Sequence, residues 1–334
     1  MKRPFLIFYF SPILLLFITL LVGNYLNIEN VAANYSERAE QTIFLPIIRE
    51  DSPSSDGLWQ PVNEGLLEKH ALQRHIIPEQ YRTVAVNGDR LAAILAEAPL
   101  EFSSAAADET VQMSLPLPDG RYLQVKLFES PIMAPELATR YPQITTYIGQ
   151  GVEDPTASAR LDWTPKGFHA QIFLADEVVY IDPYSRADTT HYISYYKRFL
   201  TSSEPFIEPD LSNVAESLHT DEQNVSSAVT TGDELRVYRL AMAATGEYTA
   251  FHGGTVADAL AAIVTTMNRV NGIYEREVAV RMVLVANTDD VIYTNAGSDP
   301  YTNGDTSAMV TENQTTLDAE IGNGNYDMVL PRIL

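Results

Sequence analysis

Histidines are the residues of this chain that could bind a catalytic metal ion, because a neutral imidazole is a common zinc ligand. His70 and His75 are five residues apart, a spacing that does not put both side chains on one face of a helix. The motif HExxH, which would place two imidazoles and a general base on one helix, occurs nowhere in the 334 residues. A metal-binding role stays open for His70 and His75, but surface or packing positions are favoured for these two residues. The chain has six histidines: His70, His75, His169, His191, His219 and His252.

Two acidic stretches suggest chemistry of another kind. The loop Asp299–Asp305 could hold calcium, but it lacks the spacing of an EF-hand and its distal Glu, so an ordinary turn is favoured. Asp289 and Asp290 lie outside any helical pattern, which favours a solvated loop over a general acid–base couple. The chain also has no cysteine, no Gly-x-Ser-x-Gly and no P-loop. We therefore predict no catalytic, cofactor-binding or metal-binding residue in this chain.

The elements that would position such residues are clearest after residue 233. Leu235 to Ala243 is predicted to be a strand, because its apolar residues alternate between two faces. A helix is predicted to begin at Thr255, with Asp258 three residues later completing a capping-box pattern. One face of this helix carries an apolar stripe at helical spacing. The stripe consists of Val256, Leu260, Ile263, Val264, Met267, Val270 and Tyr274.

Two further strands and one helix complete the pattern. Val278 to Ala286 is apolar on both faces except at Arg281, as expected for a strand covered by a helix. A loop rich in Asn, Gly and Asp leads to a predicted helix, Thr306 to Ile321, and Tyr326 to Leu330 is the third predicted strand. Strand, helix, strand, helix, strand predicts a three-stranded open sheet with crossover helices.

These residues resemble a known family. The runs YRLAMAATGEYTAFHGG, ALAAIVTTMNRVNGIYERE and NQTTLDAEIGNGNYD are similar to the start of the catalytic domain of bacterial reprolysin-like zinc metallopeptidases, a branch of the metzincins. The resemblance covers about a hundred residues in one register. It implies the fold of the first, mixed-sheet half of a metzincin-like catalytic domain. In that family a zinc helix with HExxHxxGxxH follows this half.

The sequence departs from the family after Asp327. Where the family continues to its zinc helix, this sequence has Met328 to Leu334 and ends. The resemblance implies three imidazoles on one zinc and a Glu as general base, but only His252 lies within the similar segment. We therefore expect a chain truncated before the zinc helix, with no bound zinc and no peptidase activity by itself. The first half of a catalytic domain should also leave apolar helix faces and a sheet edge uncovered.

Residues 81–200 are predicted to form a β-rich domain. Strand-like runs separated by Pro and Gly recur every eight to twelve residues, which favours a sandwich or a curved sheet. The stretches APELATRYPQITTYIGQG, GFHAQIFL and VVYIDPY resemble the N-terminal extension of the same peptidases, which implies a prodomain. The predicted fold class is therefore α/β (α+β), with a β-rich prodomain in front of the peptidase-like half. The predicted strands are Thr83–Val86, Val111–Leu117, Tyr122–Phe128, Thr156–Trp163, Phe168–Leu174, Val178–Ile181 and His191–Tyr196.

The remaining segments carry little folding information. Residues 1–33 have a basic start and an apolar run with a possible cleavage motif before Asn34, which indicates an export signal or a retained anchor. Residues 34–80 are interpreted as a weakly structured leader. Residues 201–233 are acidic, without Lys or Arg, and are interpreted as a linker in which a processing protease would cut. The incomplete peptidase domain would then be residues 234–334.

The charge of the chain limits its partners. The net charge of −22 argues against nucleic acid and anionic membrane surfaces, although the N-terminal segment could contact a membrane during export. The expected location is secreted or extracellular. Two functions remain open: the front part of a secreted zinc metalloendopeptidase, whose full-length relatives act on proteins or peptides, and a non-catalytic exported module that binds or inhibits a protease.

Overall fold

The computed structural model describes residues 52–69, 74–108, 110–186, 188–200 and 234–332. The strands are Trp59–Pro61 (β1), Arg82–Val86 (β2), Val111–Pro116 (β3), Tyr122–Glu129 (β4), Thr145–Gly151 (β5), Ser158–Thr164 (β6), Gly167–Phe173 (β7), Val178–Pro183 (β8), His191–Tyr196 (β9), Arg236–Ala244 (β10), Val280–Leu284 (β11) and Met328–Arg332 (β12). The helices are Glu64–Lys69 (α1), Gly88–Ala96 (α2), Ala105–Asp108 (α3), Pro135–Arg140 (α4), Gly246–His252 (α5), Val256–Val278 (α6) and Thr306–Glu320 (α7).

Nine strands form one antiparallel sheet, the large sheet, in the order β1-β2-β9-β8-β7-β6-β5-β4-β3. Its strands alternate between a buried apolar face and a second face, as strand geometry requires. The sheet curls so that its two ends approach each other: Trp59 Nε1 donates to the carbonyl of Ser114 at 2.7 Å, and Ser194 Oγ donates to the carbonyl of Pro116 at 2.7 Å. The large sheet is therefore the curved-sheet alternative rather than a sandwich.

Three parallel strands form the small sheet, in the order β11-β10-β12. The long helix α6 crosses from β10 to β11, and α7 lies between β11 and β12 in the chain, as the sequence pattern predicted. Leu240 and Met242 of β10 pack under α6, whereas Ala241 and Ala243 face the α7 side. The family resemblance implied a mixed sheet here, with parallel and antiparallel strands. The described strands of the small sheet are instead all parallel. The described residues from 52 onward belong to one compact unit that includes both sheets.

The start of α6 confirms the N-cap of the predicted capping box; the Asp258 carboxylate accepts from the Thr255 hydroxyl at 2.8 Å. Thr255 is the N-cap, and its Oγ1 accepts a hydrogen bond from the backbone N–H of Asp258 at 3.1 Å. The helix runs further than predicted: it ends at Val278, and Ala279 has a left-handed conformation with φ 54°. The following strand therefore begins at Val280 instead of Val278. Most of the predicted stripe is buried, but Tyr274 is 43% exposed.

Some elements differ from the sequence-based prediction. Helix α5, helix α4 and strand β5 were not predicted, and β12 begins at Met328 rather than Tyr326. Residues 52–69 are also better ordered than a weakly structured leader, because Trp59 in β1 is fully buried in the core of the large sheet. Within the described residues, no helix is both long and apolar enough to cross a bilayer. The export signal at residues 1–33 and the linker at residues 201–233 lie outside the described residues.

Candidate functional site between the two sheets

The face of the large sheet that meets the small sheet is polar, and α6 lies on it. In β6, Ala159 and Leu161 point into the core of the large sheet, so Arg160 and Asp162 point to the other side. Asn268 of α6 donates to the carbonyl of Leu161 at 2.8 Å. The helix and the strand are therefore joined by hydrogen bonds as well as by packing.

A glycine allows the close approach of helix and sheet. A Cβ atom at position 272 of α6 would lie 3.0 Å from Cγ of Arg160 and 3.0 Å from Cε2 of Phe173. Both contacts are shorter than ordinary van der Waals separation. Gly272 therefore determines how closely α6 packs on β6 and β7.

A buried network of four charged side chains links the sheets next to Gly272. Glu275 of α6 accepts hydrogen bonds from Arg160 of the large sheet and from Nε of Arg281 in β11, the latter at 2.6 Å. Arg281 also donates from Nη2 to Glu101 at 3.1 Å. Burial alone would raise the pKa of Glu275, but the hydrogen bonds from Arg281 and Arg160 bring it below its usual value. The charges of two cations and two anions therefore cancel in a region from which most water is excluded.

A second ion pair crosses the interface at Arg269, six residues before Glu275 and so nearly two turns earlier on α6. Arg269 Nη2 donates to Oδ1 of Asp182 in β8 at 2.6 Å, and the hydroxyl of Tyr195 donates to Asp182 Oδ2 at 2.8 Å. Burial would raise the pKa of Asp182, but Arg269, His169 and the Tyr195 hydroxyl together hold it below its usual value. Asp182 is therefore a buried carboxylate that stays ionised.

An open cavity of about 380 Å³ lies between α6 and the end of β8. Three of the six histidines line it, although they come from distant parts of the sequence: His75, His169 of β7 and His252 of α5. The Nδ1 atom of His169 is 3.1 Å from Asp162 Oδ2. Burial, followed by the charge of Arg186, lowers the pKa of His75 below 6.5. The fold thus brings together three histidines whose spacing in the sequence did not indicate that they are neighbours.

The edge of the small sheet is covered by a segment of the N-terminal part. The N–H of Ala134 donates to the carbonyl of Leu284 in β11 at 2.8 Å, and the N–H of Leu284 donates to the carbonyl of Ile132 at 2.8 Å. Ile132, Met133, Leu137 and Ile144 belong to the same apolar core as α6 and β10. The expectation of an uncovered edge is therefore wrong for β11, because residues 132–134 pair with it.

The acidic candidates from the sequence have structural partners. Asp289 lies in a 3₁₀ turn, and its Oδ1 is 2.6 Å from Arg140 Nη2 of α4, so it joins the two parts of the chain. Asp299 accepts from the N–H of Tyr301 and from the N–H of Gly246, and Asp305 is the N-cap of α7. These contacts agree with the interpretation of residues 299–305 as a turn.

Zinc, which the family resemblance implies, does not fit the described residues. None of their His, Asp and Glu side chains form a group of three or more that could hold a metal ion. The ring of His169, for example, faces Asp162 and Asp182, and those carboxylates already bind Thr265, Arg269 and Tyr195. His70 and His219 lie outside the described residues. The expectation that this chain binds no zinc stays a prediction.

The charged residues of the interface were not predicted from the sequence, and only Arg281 gave a partial signal there. Arg281 interrupts an otherwise apolar strand, and such an isolated charge indicates a buried partner. Its partners Glu101 and Glu275 come from different parts of the chain, 180 and 6 residues away. Spacing alone could not identify the more distant one.

Comparison with known proteins agrees with the fold of the small sheet. Residues 234–331 match the model of a family described as metallo-peptidase family M12B, reprolysin-like. This segment contains β10, β11, α5, α6, α7 and all of β12 except its last residue. The resemblance that the runs YRLAMAATGEYTAFHGG and NQTTLDAEIGNGNYD carry is thereby confirmed: this part of the chain is similar to reprolysin-like metallopeptidases. A search of curated proteins finds no match for the chain.

Proposed function

We propose that this chain is the front part of a secreted, zinc-dependent metalloendopeptidase, in which residues 81–200 act as a prodomain. The observation that carries the proposal is the match of residues 234–331 to the reprolysin-like family. Proteins of a peptidase family act on protein or peptide substrates. The parallel small sheet with its crossover helices supports this reading, because it has the element order expected for the first half of such a domain.

The prodomain role is supported by what the N-terminal part does for the peptidase-like segment. Residues 132–134 hydrogen-bond to the edge of β11, and four apolar side chains between Ile132 and Ile144 enter the core under α6. Arg160 and Glu101 neutralise Glu275 and Arg281. A peptidase-like segment without these partners would expose a strand edge, an apolar surface and two buried charges.

The 334-residue chain by itself is proposed to be inactive as a peptidase. The sequence contains no HExxH, so two zinc-binding imidazoles and a general base cannot come from one helix. We expect the purified protein, incubated with zinc, to retain no stoichiometric metal after gel filtration and to leave casein intact. Stoichiometric zinc together with casein cleavage that a chelator abolishes would contradict the proposal.

The prodomain role can be tested by cutting the chain between the two parts. A specific protease site placed within residues 201–233 would allow the intact, folded protein to be cut after purification. We expect both fragments to elute together from a size-exclusion column, because the interface contains buried ion pairs, strand pairing and a shared apolar core. Fragments that separate at once in physiological buffer would remove the basis for a prodomain that holds the peptidase-like segment.

A matched pair of variants makes this test specific. In the cut protein, Glu275→Gln removes one charge of the buried network, whereas Glu277→Gln changes an exposed residue of the same helix. We expect the first variant to dissociate at a lower urea concentration than the second. Equal behaviour of the two variants would show that the network does not hold the parts together.

Export remains part of the proposal. The apolar run before Asn34 supports it. N-terminal sequencing of protein recovered from the culture medium should find Asn34 or a nearby residue as the first. Recovery of the intact N-terminus, from the membrane fraction only, would favour a retained anchor instead.

A further inference from the structure

The cavity between α6 and the end of β8 differs in charge from the protein as a whole. The chain carries a net charge of −22, yet three basic side chains line the cavity, Lys166, Arg186 and Arg269, against one carboxylate, Asp182. The imidazoles of His75, His169 and His252 line it as well. A concave surface on which cationic side chains outnumber carboxylates concentrates positive potential and attracts anions.

Not all of this charge is neutralised inside the structure. Lys166 Nζ is 2.6 Å from Asp258 Oδ1, and Arg269 Nη2 is 2.6 Å from Asp182 Oδ1. Arg186 instead lies over the ring of Phe251, with its Cζ 3.9 Å from the ring centroid, and has no acidic partner among the described residues. The stacked ring holds the guanidinium in place at the cavity. Arg186 is thus a positioned cation whose donors are available to a ligand.

A second feature of the cavity concerns Arg269. Its Nη2 atom donates to Asp182, whereas its Nε atom is buried and has no hydrogen-bond partner among the described residues. Buried donors are nearly always paired, and a guanidinium without an acceptor on one side is costly. The Nε atom has no surface open to the cavity, but the Arg269 side chain as a whole is 25% exposed and lines the cavity, so a ligand there meets the exposed part of this side chain.

We propose that this cavity is a binding site for a small oxyanion, a carboxylate or a phosphate group, held by Arg186 and Arg269. Both groups offer the paired oxygens that a guanidinium binds best. The site takes residues from both parts of the chain: His169 and Arg186 come from the N-terminal part, and His252 and Arg269 come from the peptidase-like segment. A bound anion therefore stabilises the contact between these parts. This inference does not depend on peptidase activity.

The test is calorimetric titration of the full 334-residue protein with inorganic phosphate and, separately, with acetate, at ionic strength held constant with NaCl. We expect one saturable site for at least one of the two anions. Arg186→Gln should weaken binding about tenfold or more, because it removes a charge-assisted hydrogen bond. Saturation by phosphate alone would identify a phosphate ligand, and saturation by acetate alone a carboxylate ligand.

Two further variants separate this site from general charge effects. Arg198→Gln is the matched control, since Arg198 also lies over aromatic rings, those of Tyr196 and Phe199, but does not line the cavity; its anion affinity should equal that of the unmodified protein. Ala262→Glu places a carboxylate on α6 at the cavity and should abolish binding of the added anion. Absence of saturable binding by either anion, or equal affinity in the Arg186→Gln and Arg198→Gln proteins, would overturn the proposal.

Discussion

Glu275→Gln is expected to destabilise the protein, because it removes one charge of the buried network between the sheets. The side chains of Arg160 and Glu275 are 3% and 14% exposed, so the network is poorly hydrated. Neutralising Glu275 leaves two guanidinium groups facing the single carboxylate of Glu101. Removing one partner from a buried ion pair costs about 3–5 kcal/mol, and the partial exposure of Glu275 favours the lower end, about 3 kcal/mol.

Thermal unfolding followed by circular dichroism would measure this cost. For a unit the size of residues 51–334, about 2 °C of melting temperature corresponds to 1 kcal/mol, so we expect a decrease of about 6 °C. The control is Glu277→Gln on the exposed side of α6, which should stay within about 1 °C because exposed substitutions rarely exceed 0.5 kcal/mol. Adding Arg281→Met to Glu275→Gln removes the surplus cation and should recover part of the loss. Equal melting temperatures for the two single variants would refute the reasoning.

Three other predictions follow from contacts of the same interface. Gly272→Leu should destabilise the protein by about 1–3 kcal/mol in urea, although leucine favours helix, because its side chain would collide with Arg160 and Phe173; a neutral or stabilising result would show that α6 can move away at no cost. Thr255→Ala should cost about 1 kcal/mol through loss of the N-cap of α6, and Thr255→Ser should restore it; equal urea midpoints for the two variants would contradict the capping role. The pKa values of the Asp182 and Glu275 carboxyl groups are lower in the folded protein than in the unfolded chain. The stability that these ionised groups contribute is therefore fully present at pH values above their pKa in the unfolded chain, and it is lost as the pH falls below about 4. The melting temperature should therefore be steady from pH 7 to about 5 and fall below that, and a constant value down to pH 3 would contradict this assignment.

The small sheet could be predicted from the sequence because the residue patterns that define its helices and strands lie within short segments of the chain. Thr255 and Asp258 lie three residues apart and define the start of α6, and the alternation in β10 is visible within nine residues. The end of α6 could not be placed, because Val278 fits a helix and a strand equally well. Only the left-handed conformation at Ala279 separates the two elements.

The missed elements have weak local signals. Strand β5 contains Gly149 and Gly151, which are unfavourable in strands in general. A Cβ at position 151 would come within 2.2 Å of the carbonyl of Asp154, so glycine is required there for a close backbone contact. Helix α5 has only seven residues, too few to show an apolar stripe.

The interface between the sheets could not be predicted, because its partners are far apart in the sequence. Arg269 and Asp182 are separated by 87 residues, and Arg140 and Asp289 by 149. Each of these side chains alone resembles an ordinary surface charge. Only the arrangement of the elements shows that they form pairs, and the same is true of the histidines at the cavity.

The pairing of residues 132–134 with β11 has a consequence for assembly. A parallel sheet can be enlarged at either of its two outer strands, but here one of these is already occupied by the protein's own backbone. At Leu284 the outer side of β11 is therefore closed to a further strand, whether from the same polypeptide or from another molecule. Among the described strands nothing pairs with the outer side of β12, so the N-terminal part of the chain makes the two edges of the small sheet unequal.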